Sequence, residues 1–124
     1  MAGRSLSSCR MQAGVILVED SPYESALAYL ALTRTTSSVI QAPNVRSAAR
    51  MASGARLAIL GARAIAGISN RQVRALGIPA VGIGARISAA AQRRALRAGV
   101  RAVYARPRVW GEYLALLEQI QHAV

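Results

Sequence analysis

The chain has 124 residues, 53% of them hydrophobic, and a formal net charge of +11 at pH 7. That is long enough for one domain with its own core and too apolar for a disordered tail. A single cysteine, Cys9, excludes an intrachain disulfide and a cysteine metal cage, and no apolar run approaches the ~18 residues of a membrane span.

Residues Met1 to Gln12 carry Arg4 and Arg10 but no apolar stretch. They read as a loose N-terminal tail rather than a secretory signal, followed by one domain from residue 13 to residue 124. Cys9 lies in the tail and reads as inert, and the absence of disulfides fits a reducing, cytoplasmic setting. Gly14-Val15-Ile16-Leu17-Val18 is a continuous apolar run, as a parallel strand buried on both faces requires. It ends at Glu19-Asp20. Ser21-Pro22-Tyr23-Glu24 has the order of a capping box, with Ser at the N-cap, Pro at N1 and Glu at N3. A helix is expected from there through Leu27 and Leu30 to about Thr33.

Ser37 to Ala42, centred on Val39 and Ile40, predicts a second strand. Pro43-Asn44 breaks it, and Asn44 caps a helix through Met51. Arg56-Leu57-Ala58-Ile59-Leu60 predicts a third strand ending at Gly61. Ser69-Asn70-Arg71-Gln72 is a second capping box, opening a short helix to Leu76 that Gly77 stops. Ile78 to Gly84 predicts the fourth strand, with Pro79 at its tolerated start. Ser88 caps a helix through Ala98, ended by Gly99. Arg101 to Ala105 predicts the fifth strand. After Pro107 a last helix places Val109, Tyr113, Leu116, Leu117 and Ile120 on one stripe.

Five strand–helix repeats with short connections predict an α/β, doubly wound flavodoxin-like (βα)5 fold. The economical arrangement is a parallel five-stranded sheet in the order 2-1-3-4-5. The first and fifth helices then cover one face and the second to fourth the other. The ligand crevice lies at the C-terminal ends of strands one and three.

Within this frame, Ile16-Leu17-Val18-Glu19-Asp20-Ser21 resembles the first strand and acidic pair of response-regulator receiver domains, the CheY-like family. Ala95-Leu96-Arg97-Ala98-Gly99-Val100 is similar to that family's A-L-x-A-G-A segment. Arg106-Pro107 stands where the family has Lys-Pro, and Ile78-Pro79-Ala80-Val81 resembles the entry to its fourth strand. The likeness runs from about Gly14 to Gln121. It implies phosphoryl transfer to an aspartate with Mg²⁺ held by the acidic pair. It also implies a lysine on the phosphoryl oxygens, and a strand-four hydroxyl reporting to a strand-five aromatic.

Carried over residue by residue, the resemblance places the acidic pair at Glu19 and Asp20 and the phosphoacceptor at Gly61. The hydroxyl position falls on Gly84 and the aromatic position on Val103, beside Tyr104. The lysine position is Arg106, and the family's cis peptide bond would be the one before Pro107. Gly61 has no nucleophile, and no Asp or Glu occurs between Glu24 and Glu112. The expected product is a pseudo-receiver lacking its phosphoacceptor, with no enzymatic activity and no cofactor. Glu19 and Asp20 should act as counter-ions to Arg106 and Arg63 rather than as an Mg²⁺ site.

No dinucleotide fingerprint or Walker sequence is present, and the single His122 cannot build a zinc site. Arg93, Arg94, Arg97, Arg101 and Arg108 gather with Trp110 across the fourth helix, fifth strand and fifth helix. In receivers that face is the usual docking and dimerisation surface. The expected role is therefore a phosphorylation-independent protein–protein interaction module in bacterial signal transduction or transcriptional regulation, with a homodimer its simplest partner. The second reading is a nucleic-acid or polyanion binder using the same arginine-rich face. No membrane partner is expected.

Overall fold

The computed structural model describes residues 14–36 and 38–123. The N-terminal tail with Cys9, and Ser37 at the expected start of the second strand, lie outside the described residues. Strands β1 (Gly14–Val18), β2 (Val39–Ala42), β3 (Ala55–Leu60), β4 (Ala80–Gly84) and β5 (Ala102–Ala105) form one parallel sheet in the order β2-β1-β3-β4-β5. The helices among the described residues are α1 (Pro22–Thr33), α2 (Val45–Met51), α3 (Ala62–Ala66), α4 (Asn70–Leu76), α5 (Ala89–Ala98) and α6 (Trp110–His122). The doubly wound order expected from the sequence is the one found.

Period-two alternation divides β1 between two cores. Val15 and Leu17 join Leu57, Ile59, Val81 and Ile83 under α1 and α6, with Leu32, Tyr113 and Leu117. Ile16 and Val18 join Ala58 and Leu60 under the helices α2 to α5, with Val45, Ile65, Leu76 and Ala95. Both faces of the central strands are therefore dry, which is why their sequences read as unbroken apolar runs.

The helix starts follow the expected caps. The side chains of Ser21, Asn44, Ser69 and Ser88 each accept a backbone N–H of the first turn. Gly77 and Gly99 close α4 and α5 at φ 68° and 114°, a region L side chains avoid. Some strand starts differ from expectation by a residue or two, and one helix is additional. β4 begins at Ala80 rather than Ile78, because Pro79 has no N–H for the ladder; its carbonyl still accepts from Ala58 N at 2.9 Å. The short helix α3 was not foreseen: its N-cap is Gly61, which offers no capping side chain, and burial of Ile65 holds it instead.

Candidate functional site

Ladder geometry carries past the strand ends and assembles the crevice. Glu19 N donates to Ala42 O at 3.2 Å, Gly61 N to Val18 O at 2.8 Å, and Arg106 N to Gly84 O at 3.0 Å. Glu19, Gly61, Gly84 and Arg106 thus stand at one edge of the sheet, as the crevice positions of such a fold should. Two open hollows flank the acidic pair. One, of about 200 Å³, is bordered by Glu19, Asp20, Asn44 and Arg63. The other, of about 300 Å³, is bordered by Glu19, Asp20, Glu24, Arg63, Gly84 and Arg86.

Glu19 is half-buried and lies over the buried Gly61. A Cβ at position 61 would fall on Glu19 Oε1 and 2.6 Å from its Cδ. The carboxylate therefore fills the space that a side chain on the third strand's end would need. Its Oε2 accepts the Ser21 N–H at 3.1 Å. The expected capping box at α1 is thus only half formed. Ser21 Oγ accepts Glu24 N at 3.4 Å, but the return bond to Ser21 N–H comes from Glu19 and not from Glu24.

That exchange frees Glu24 for Arg106. Arg106 Nη2 donates to Glu24 Oε2 at 3.1 Å, and Nε lies 2.8 Å from Oε1, close but not aligned as a hydrogen bond. The two side chains are 18% and 27% exposed. The expected contact of Arg106 with Asp20 or Glu19 is therefore corrected. No cis peptide bond occurs among the described residues, so the expected cis bond before Pro107 is corrected as well. With that bond trans, the guanidinium meets the first turn of α1 instead of the acidic pair. Arg63 does reach Asp20, Nη1 to Oδ2 at 3.0 Å, but its side chain is 84% exposed and the pair contributes little stability.

Burial pushes the Glu19 carboxyl above its ordinary 4.5; the Ser21 amide opposes this, while the charges of Asp20 and Glu24 add to it. A raised folded-state pKa means the folded chain binds this proton more tightly than the unfolded chain. The associated stability is complete below the ordinary value and is lost as pH rises through the raised one. Glu19→Gln keeps the shape and drops the charge. Its stability is expected to fall less than the parent's between pH ~4 and ~7 in urea titrations. Parallel curves would mean Glu19 is as well hydrated as in the unfolded chain.

The remaining positions are closed to the implied switch. A Cβ at Gly84 would come within 2.9 Å of Ala62 Cβ and of the Ile87 side chain, so a hydroxyl-bearing residue has no room as the loops stand. Val103 packs in the core under α5, while Tyr104 faces the core under α1 and α6. Arg93, Arg94, Arg97, Arg101, Arg108 and Trp110 are all exposed. Trp110 meets its own helix neighbour Tyr113 edge-on, centroids 6.4 Å apart. The expectation that three of these arginines join β5 and α6 in one face needs amending. On α5 the buried stripe is Ala91, Ala95 and Ala98, and Arg94 Nη2 reaches Ala66 O at 3.5 Å, which turns the flank carrying Arg94 and Arg97 toward α3. The opposite flank carries Leu96, which is 48% exposed.

No family model matches the sequence, and no curated protein matches it. Solved structures do match in fold. The signal receiver domain of NarL from Mycobacterium tuberculosis is 17% identical, with a TM-score of 0.68 over 90% of this chain and 98% of that one. A response regulator in red light signaling of R. palustris is 15% identical, with a TM-score of 0.68 over 90% and 93%. The receiver domain of a sensor histidine kinase from Pseudomonas aeruginosa PAO1, with a magnesium ion coordinated in its active site cleft, is 19% identical, with a TM-score of 0.66 over 89% and 98%.

This chain has the receiver fold. At these identities the likeness is one of architecture, and the crevice of this chain is organised around Glu19 and Glu24. Sequence reasoning missed Glu24 as the partner of Arg106. The capping-box pattern pointed that carboxylate at Ser21, and only the three-dimensional approach of Glu19 redirects it. No helix of the described residues is long and apolar enough to cross a membrane.

Proposed function

We propose that this chain is a receiver that does not accept phosphate and works as a protein–protein interaction module in signalling or transcriptional regulation, in the cytoplasm and without catalysis. The observation that carries the reading is the Glu19 carboxylate lying against Gly61, where the aligned position has neither a nucleophile nor room for one. The donor set does not suit Mg²⁺ either. Asp20 is engaged by Arg63, Glu19 by the Ser21 amide, and the described residues contain no group of three His, Cys, Asp or Glu that could hold a metal.

The contact surface of this reading is the α5–β5–α6 face. Leu96, Val109 and Trp110 are exposed there at 48%, 58% and 39%, apolar anchors of the kind that dominate interfaces. A second copy of the chain is its simplest partner. Incubation with acetyl phosphate and Mg²⁺, read by intact mass, is expected to give no phosphoryl adduct. A labile adduct mapped to this crevice would overturn the reading. Sedimentation at ~50 μM is expected to show a dimer that Trp110→Ala dissociates, since loss of a central aromatic anchor costs ~2 kcal/mol or more.

A further inference from the structure

Helices α2, α4 and α5 lie side by side on one face of the sheet, α2 packed on α4 and α4 on α5. Each turns arginines outward at helical spacing. Arg46 and Arg50 do so on α2, Arg71 and Arg74 on α4, and Arg93, Arg94 and Arg97 on α5, all of them exposed. None of these seven is ion-paired within the described residues. The layer cannot neutralise itself, because no Asp or Glu occurs between Glu24 and Glu112. Like charges at three- and four-residue spacing repel, and nothing on these helices offsets the repulsion. The exposed aromatic residues Tyr23, Tyr29 and Trp110 all belong to α1 and α6, on the other side of the sheet.

We propose that the α2–α4–α5 layer binds the phosphate backbone of double-stranded DNA without reading its sequence. Neighbouring helices sit about 10 Å apart, so the arginines span about 20 Å. That length of duplex carries about a dozen phosphates, roughly half of them facing a protein laid along it. Seven guanidiniums match that number, and each can hold a phosphate through two parallel hydrogen bonds. Single strands are held by bases stacked on aromatic rings, and this layer has none to offer. The layer shares α5 with the α5–β5–α6 face and borders the crevice at Asn44 and Gln72, but its seven arginines are neither the Leu96, Val109 and Trp110 anchors nor part of the Glu19–Gly61 contact, so it stands whether or not the interaction-module reading does.

The test is fluorescence anisotropy of the full chain with a labelled random-sequence duplex of ~25 base pairs over a salt series. Binding should weaken with a log–log slope of about −4 to −6. Arg93→Ala with Arg97→Ala should lower affinity ~10-fold or more and reduce the slope by about 2. Arg34→Ala with Gln119→Glu lowers the charge by the same amount on the other side of the sheet, at two exposed positions, and should stay within ~2-fold of the parent. Circular dichroism would check that both double variants are folded. Equal losses in the two double variants would overturn the assignment, leaving only diffuse net charge. A single strand of the same length bound as tightly, or binding to phosphatidylglycerol vesicles with none to the duplex, would overturn it too.

Discussion

Gly61→Asp is expected to fold about 2 kcal/mol less stably than the parent in chelator, and to regain much of that loss when Mg²⁺ is added. The new Cβ would fall on Glu19 Oε1, so the Glu19 carboxylate must swing off and surrender the Ser21 N–H bond. The new carboxylate also joins Glu19 and Asp20 at one strand edge, and three close acids repel one another until a cation binds. Carboxylate oxygens gathered in this way suit a hard divalent ion, which fills its remaining positions with water. Gly61→Ala separates the effects: it carries the displacement without the charge, should cost about 1 kcal/mol, and should ignore Mg²⁺. Urea unfolding with and without the ion measures both. An Asp variant as stable as the parent and indifferent to Mg²⁺ would show that Glu19 does not guard this position.

The second large effect is expected at Arg106. Both side chains of the Arg106–Glu24 pair are mostly buried, and removing one leaves the other charge poorly hydrated. Arg106→Ala should cost about 2 kcal/mol, discounted from a fully buried pair because about a fifth to a quarter of each side chain still meets solvent. The decisive measurement is a pair of double-mutant cycles. Arg106→Ala with Glu24→Gln should couple by about 1–2 kcal/mol, whereas Arg106→Ala with Asp20→Asn should be additive within about 0.5 kcal/mol. Strong coupling to Asp20 instead would return Arg106 to the acidic pair, against the geometry seen here.

The legible parts of this protein are those where one physical cause acts alone. β1 and β3 read correctly because a strand buried on both faces must be apolar throughout. α1, α2, α4 and α5 read correctly because a Ser or Asn cap is a local bond. Helix α3 was illegible because Gly61 caps it without a side chain and tertiary burial, of Ile65 above all, holds it. That Gly61 carries no side chain at the end of β3 could be read directly. The arrangement around it could not: which of Glu19 and Glu24 takes the Ser21 amide, and hence which carboxylate is left for Arg106, depends on distances between segments that meet only in the folded chain. The sequence also grouped Arg93, Arg94 and Arg97 with β5 by proximity along the chain, whereas the rotation of α5 on its alanine stripe turns Arg94 and Arg97 the other way.

β1 contributes alternate side chains to both hydrophobic cores and pairs with both β2 and β3. Neither helical layer can therefore melt by itself without stripping cover from the same strand. In native-state hydrogen exchange, the amides of β1 and β3 belong to the slowest class, opening only with the whole molecule. Those of β2 and β5, each paired on a single side, are free to open in smaller excursions. Cooperative unfolding in this protein is thus centred on its first strand, and the two edges of the sheet are where partial opening begins.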